Sequence, residues 1–408
     1  MSKKMTMQEA ITEAKRCLNC SRPLCRTGCP IENNIPEFVR ALSEGNIGNA
    51  YETIAERSNL PAICGRVCAH EKQCEAHCIL AKKNSAISIG SLEMFIADFA
   101  HEYGLNPVPP STGKRGKVAV IGSGPAGLTV AGDLAKMDFA VTIFEGQPEP
   151  GGVLLFGIPE FRLEKEVVRR EINILRKLGV EIVTEKLIGP DMTVDDLFAQ
   201  GYDAIFMGTG TALPRTLDIP GQELSGILTA TYFLKVVVLA DSGKLDKKEV
   251  LIHDDDDVVV IGAGNVAIDA ARTAIRRTSG NVTVLYHKTA EDMTCLPSEY
   301  EAALKEGVQF KFLKKPLGYL NKKQMRALTN TRAKASPADE TELAGLLVQN
   351  IVKDQEGKFV ETGGQEIIPC DSVILAVGQR PAARIVSTTK GIQVDDRGFV
   401  ITKERPYG

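Results

Sequence analysis

Eight of the ten cysteines lie before residue 80, in two tight groups. The first group is Cys17-x2-Cys20-x4-Cys25-x3-Cys29-Pro30, and the second is Cys64-x3-Cys68-x5-Cys74-x3-Cys78. A disulfide framework belongs to short secreted chains, whereas these thiols crowd one end of 408 residues that open without a signal-peptide apolar core. Thiolates at such intervals are metal ligands. Eight cysteines would serve two structural zinc sites. They would equally serve iron–sulfur clusters, whose ligands come in short spacings with a distant fourth, and Cys29-Pro30 repeats the Cys-Pro that closes ferredoxin runs. Cys295 and Cys370 stand alone and read as structural.

The remaining composition narrows the function classes. Net charge is −3 and tryptophan is absent, so neither a basic patch nor stacking platforms for nucleic acid are expected. No apolar run reaches membrane-spanning length, and the expected location is the cytoplasm.

Residues 1 to about 112 read as helical, with apolar spacings of three and four in Met7–Arg16, Pro36–Leu42, Ile47–Arg57 and, after Gly90-Ser91, Leu92–Tyr103. The run 106–113 is a linker by composition. From Lys117 the pattern turns to α/β. A strand at Val118–Ile121 leads through a glycine turn to a helix at Ala126–Met137 and a strand at Phe139–Phe144. A second such unit begins at Val258–Ile261, with a helix at Val266–Arg277 and a strand at Val282–Leu285. The acidic run Asp254–Asp257 before it reads as a solvated loop.

Each unit carries a dinucleotide fingerprint. In Gly122-Ser-Gly124-Pro125-Ala126-Gly127 the first glycine permits the tight turn, the second lets the backbone approach a pyrophosphate, and the third lets helix pack on strand. The helix N-terminus adds N–H donors and a positive dipole end. Glu145 ends the next strand, 23 residues after Gly122, where a carboxylate accepts ribose hydroxyls. Gly262-Ala-Gly264-Asn265-Val266-Ala267 repeats the logic. Its strand ends in Tyr286-His287-Lys288 in place of an acid, which favours a 2′-phosphate and hence NADP(H) over NAD(H). Glycine-rich strand ends at Gly208-Thr-Gly210 and at Gly378 read alone as turns, and such segments can be crossovers between nucleotide domains where backbone passes a cofactor. An electron carrier has a reason to stand beside a flavin-type domain, which favours iron–sulfur over zinc.

With these motifs in order, the chain resembles the small subunits of NADPH-dependent glutamate synthases. It also resembles a wider group: flavin subunits of ferredoxin:NADP transhydrogenases and sulfide dehydrogenases, and the amino-terminal half of dihydropyrimidine dehydrogenase. The resemblance runs through both cysteine groups, Gly122–Leu128, Gly151–Leu163, Pro214–Gly221 and Gly262–Arg272. It implies an α/β protein: an all-α iron–sulfur domain (1–112), an FAD domain (113–250 and, returning, 377–408) and an inserted NAD(P)H domain (251–376). It implies two 4Fe–4S clusters, one on Cys17, Cys20, Cys25 and Cys78, the other on Cys29, Cys68, Cys74 and Glu93, leaving Cys64 spare; residue counting alone would choose Cys64 over Glu93. Gly151, Gly152 and Ile158 are implied as FAD neighbours. The group's two arginines after the second strand are replaced here by His287-Lys288.

The group's pattern continues past a segment like Arg405–Gly408 into a flavin-closing stretch, so the resemblance implies a shortened chain whose FAD is weakly held or absent. The implied function is an NAD(P)H-oxidising electron-input subunit, in a homo- or hetero-oligomer, whose partner is the glutamate synthase large subunit or another electron-accepting protein. Two further readings are a transhydrogenase or sulfide dehydrogenase flavin subunit, and a cluster-binding subunit without turnover.

Overall fold

The computed structural model describes residues 4–83, 85–105, 110–211, 213–329, 336–382, 385 and 389–402. They form two compact units. One comprises residues up to 155, 160–210 and from 381 onward; the other comprises 156–159 and 211–380.

The first unit begins with helices Met7–Ala14, Ile35–Ser43, Ile47–Ala55, Pro61–Val67 and Ile89–Glu102. Their starts follow local chemistry. Thr6 and Glu9 form a reciprocal capping box, Pro36 occupies a first-turn position, and Asn46 accepts from the Asn49 N–H. Their apolar faces meet in one core, with Phe38, Val39, Leu42, Ile54, Leu92 and Ile96 inaccessible to solvent. At about 2 kcal/mol for each large side chain, this burial is what holds a region with little regular structure between residues 14 and 35. Gly90 and Ser91, expected ahead of the last helix, lie inside its first turn. Gly90 faces the buried His70 ring so closely that no β-carbon would fit.

The same unit continues into a parallel sheet ordered Glu181–Val183, Ala140–Phe144, Lys117–Ile121, Ala204–Met207. Helix Pro125–Lys136 connects the first two strands in chain order. The helical region and the sheet region are joined through Asp98, which pairs with Arg66 (2.9 Å) and Arg170, while Arg66 also meets Glu164 at 2.9 Å. Residues 106–109 of the expected linker, like Arg405–Gly408, lie outside the described residues. The rest of the linker is pinned: the Asp138 carboxylate accepts from the Thr112 and Gly113 N–H groups.

The second unit contains a parallel sheet ordered Ile227–Thr229, Ser372–Leu375, Val258–Ile261, Val282–Leu285, Gln309–Lys311. An antiparallel sheet of Lys314–Asn321, Leu343–Lys353 and Phe359–Pro369 accompanies it. Here the boundaries differ from those expected. Residues 211–250, expected in the first nucleotide domain, belong to the second, because Ile227–Thr229 pairs with Ser372–Leu375 and helix Ala230–Asp241 buries Phe233, Leu234 and Val237 in that core. The return falls after Arg380 rather than at 377, since Gln379–Arg380 pairs with Leu213–Pro214. The acidic run is likewise not simply solvated: Asp256 is buried and accepts from Ser372 Oγ at 3.1 Å, and Asp257 accepts from the Asn281 N–H at 2.8 Å.

Candidate cofactor-binding sites

Two glycines bring the cysteine groups together. A β-carbon on Gly28 would stand 2.6 Å from the His77 ring, so the loop 25–29 lies directly on the turn 74–78. Cys17, Cys20, Cys25 and Cys78 then line one cavity of about 80 Å³. Burial pushes the Cys25 thiol up to about 11, with Cys17, Cys78 and Cys20 adding to the rise. Cys17 is raised by burial and by the charges of Cys20 and Cys78. These four are the residues expected to share the first cluster, and a ring of four thiols around a cavity suits an inorganic cube.

Gly65 does the same for the second group. Its absent side chain lets helix Pro61–Val67 lie on the backbone of Met94, setting Cys64 beside Glu93. Cys68, raised to about 11 by burial first, feels the charges of Glu93 and Cys29. Cys74 is pushed up by burial, then by Glu75, Glu93, Cys68 and Cys29. Cys29, Cys68, Cys74 and Glu93 are therefore electrostatically coupled, and Cys64 is coupled to Glu93 and Cys68 as well. The Cys68 thiol donates to Gln73 Oε1 at 2.9 Å, a proton that metal ligation would release. Glu93 is buried, and burial followed by the charge of Glu171 raises it to about 8. A carboxylate so placed gains from a cationic ligand. Among the described residues, no three His, Cys, Asp or Glu side chains gather closely enough to hold a single metal ion.

The loop 122–127 runs from strand Lys117–Ile121 into helix Pro125–Lys136. Gly122 takes φ +95°, and a β-carbon there would meet the Gly208 carbonyl at 2.5 Å. Gly127 packs on the Gly122 carbonyl, with no room for a side chain. Gly124 is open on its outer side, and the helix it begins has no side-chain cap, so the first N–H groups, Pro125 apart, are left to an anion. Pro125 and Ala126 are exposed at this end. Glu145 Oε2 accepts from the Ser123 N–H (2.9 Å) and hydroxyl (2.5 Å), and Oε1 accepts from the Gln147 N–H (2.8 Å). Ser123 Oγ in turn accepts from the Gly151 N–H at 2.9 Å. Gly152 lies on Gly124, at 2.9 Å from its Cα to the missing β-carbon. Ser123, missed in the sequence, thus ties together Glu145, the loop and the Gly151-Gly152 segment. Gly210, exposed at φ +69°, follows the adjacent strand, and Ile158 falls in the other unit. These features fit a nucleotide diphosphate.

In the second unit Gly262 (φ +134°) packs against the Ala376 carbonyl, and Gly264 starts helix Asn265–Ala274 without a side-chain cap. Asn265 Oδ1 accepts from the Leu296 N–H at 2.9 Å, and Val266 is exposed. Gly378 (φ +104°) supplies the carbonyl that accepts from the Arg215 N–H at 3.0 Å. His287 is held below its ordinary 6.5 by burial and by Lys288. A second cation stands near Lys288: Lys288 Nζ is 5.9 Å and Lys353 Nζ 5.3 Å from the centre of the Phe359 ring. Lys353, also 4.0 Å from Asp292, arrives from the antiparallel sheet and left no local signal in the sequence.

No helix of the described residues is long and apolar enough to cross a membrane. Residues 1–105 match the family of dihydropyrimidine dehydrogenase domain II, 4Fe-4S cluster, and residues 116–406 match pyridine nucleotide-disulphide oxidoreductase. Glutamate synthase [NADPH] small chains of Halomonas elongata and Escherichia coli are 35% and 34% identical, each over 97% of this chain and 82% of the relative. The NADPH-Fe(3+) oxidoreductase subunit beta of Geobacter sulfurreducens is 30% identical over 94% of this chain and 54% of its own length. Mycobacterium tuberculosis FprA in complex with NADPH shares the fold, with TM-score 0.50 and 20% identity over 69% of this chain and 73% of its own. With both cysteine groups and both glycine loops in place, the chain is an oxidoreductase of the pyridine nucleotide-disulphide oxidoreductase family and belongs with the glutamate synthase [NADPH] small chains.

Proposed function

We propose that this chain is an electron-input subunit, oxidising NADPH and delivering electrons to a partner protein, the glutamate synthase large subunit, in the cytoplasm. Its cofactors are 4Fe–4S, FAD and NADP(H). The observation that carries the reading is the grouping of Cys17, Cys20, Cys25 and Cys78 round one cavity, in the same compact unit as the Gly122–Gly127 loop. When bound, these groups supply the conversion between hydride and single-electron transfer, so no side-chain acid or base need do the chemistry.

The residues then have defined tasks. The uncapped helix ends at Gly124 and Gly264 hold diphosphates, and Lys288 attracts a 2′-phosphate. Glu145, through Ser123, fixes the loop that faces the first diphosphate. Cys17, Cys20, Cys25 and Cys78 hold one cluster, and Cys29, Cys68, Cys74 and Glu93 the other. In the second set Cys74 and Glu93 are buried, which keeps water from these two ligands.

Anaerobic purification should yield a brown chain that reduces ferricyanide with NADPH. Added large subunit should then form glutamate from glutamine and 2-oxoglutarate. Colourless, zinc-containing protein, or no glutamate with the large subunit bound, would overturn the reading. The Geobacter relative supports a second reading, delivery to a different acceptor, in which dye reduction persists but the large subunit does not bind.

A further inference from the structure

We propose that the face formed by residues 15–26 and 78–83 is a docking surface for an acidic protein carrying a one-electron redox centre. This deepens, and rests on, the electron-delivery reading above.

Residues 14–31 contain Lys15, Arg16, Arg22 and Arg26 and no acid, and residues 76–86 add Lys82 and Lys83, again with no acid. Six cations crowd these two segments of a chain of net charge −3, and of them Arg16 pairs with a carboxylate just outside, Glu13. These two segments also supply Cys17, Cys20, Cys25 and Cys78, so the basic stretches are the walls of one site. Of the nearest acids, Glu13 is paired with Arg16 at 2.7 Å, and Glu75 accepts from the buried Gly90 N–H at 3.0 Å.

The apolar component is as localised as the charge. Leu18, Leu24 and Ile79 are 60%, 51% and 47% exposed, and all three line the mouth of the cavity that the four thiols surround. An apolar centre rimmed by charge of one sign is the make-up of a transient protein interface. The cations steer an acidic partner and fix its orientation, while the leucines and isoleucine exclude water over the site. A membrane surface would also attract cations, but the patch curves round a cavity and lies on short loops rather than on a continuous amphipathic helix.

The test measures binding of the full chain, purified with its iron, to an acidic 2Fe–2S ferredoxin by titration calorimetry. Reversing two exposed lysines, Lys82→Glu with Lys83→Glu, should weaken binding on the order of tenfold. The same charge change at Lys247 and Lys248, on an exposed turn of the other unit, should leave it intact. Binding of the parent chain should fall away in roughly 0.5 M NaCl. Leu18→Ala should weaken it without changing the salt dependence. Equal affinities for the two double variants, or no binding to the ferredoxin, would overturn the proposal. Loss of iron from Lys82→Glu/Lys83→Glu with affinity per iron-loaded chain unchanged would overturn it too, because the cations would then only offset cluster charge. Intact, charge-dependent binding in a chain that fails to reduce ferricyanide with NADPH would uphold the surface and sink the electron-input reading.

Discussion

Gly65 lies so close to Met94 that a β-carbon on it would stand 2.5 Å from the Met94 backbone nitrogen and 2.7 Å from its Cα. That single absent methyl sets the distance between two helices and puts Cys64 next to Glu93. Close approach of this kind is a backbone-on-backbone contact, which cannot be relieved by turning a side chain.

Gly65→Ala should therefore force the helices apart, at a cost of about 1–3 kcal/mol. Because the helix carrying Glu93 moves relative to Cys68, the second cluster should be lost and the first retained. Iron per chain should drop by half, with the folded helical content unchanged by circular dichroism. Full iron content would show that the second site tolerates the shift.

Cys64 and Glu93 are the two candidates for the fourth position of the proposed second cluster. With Glu93 as ligand, Cys64→Ala keeps the parent iron content, whereas Glu93→Ala and Cys74→Ala each lose half of it. The reverse result, loss with Cys64→Ala and retention with Glu93→Ala, would give the place to the thiol. Iron analysis with electron paramagnetic resonance of the reduced protein distinguishes the two outcomes.

Asp98 joins the helical region to the flavin-type region, and its titration has a predictable sign. Burial raises its pKa, but hydrogen bonds and charge from Arg66 and Arg170 outweigh that and hold it below the ordinary 3.8. A depressed folded-state pKa means stability that is fully present above the unfolded value and lost as pH falls through the folded one. Melting temperature should thus fall steeply below about pH 4. Asp98→Asn should cost about 2–3 kcal/mol at neutral pH and flatten this acid limb. An unchanged acid limb would assign it to other carboxylates.

Lys288 and Lys353 flank the Phe359 ring, and burial together with Lys288 holds the His287 pKa below its ordinary value. Lys288→Ala should raise KM for NADPH roughly tenfold while leaving KM for NADH nearly unchanged. Lys353→Ala should do the same to a smaller degree, since Asp292 shares its charge. Steady-state kinetics with both nucleotides tests this; equal effects on the two would place the lysines away from the 2′-phosphate.

Local chemistry accounts for what could be read before the fold was known. The turn at Gly122, the strand ahead of it and the helix behind it each follow from residues within a few positions, and the structure has them at Lys117–Ile121 and Pro125–Lys136. Boundaries set by distant pairing were another matter. Residues 211–250 carry no mark of their destination, because the partner of Ile227–Thr229 is a strand about 145 residues later.

The sequence by itself pointed to clustered thiols for metal and to two glycine loops for nucleotides, because ligand type, spacing and permitted φ are properties of residues and their neighbours. Tertiary structure alone decided how the two cysteine groups meet. Cys78 lines one cavity with Cys17, Cys20 and Cys25 where Gly28 rests on His77, and Glu93 comes beside Cys64 where Gly65 rests on Met94. It also brought Lys353 to Lys288 across a sheet and turned Ser123 toward Glu145. Each of these depends on packing between segments far apart in the chain, which spacing within one segment does not encode.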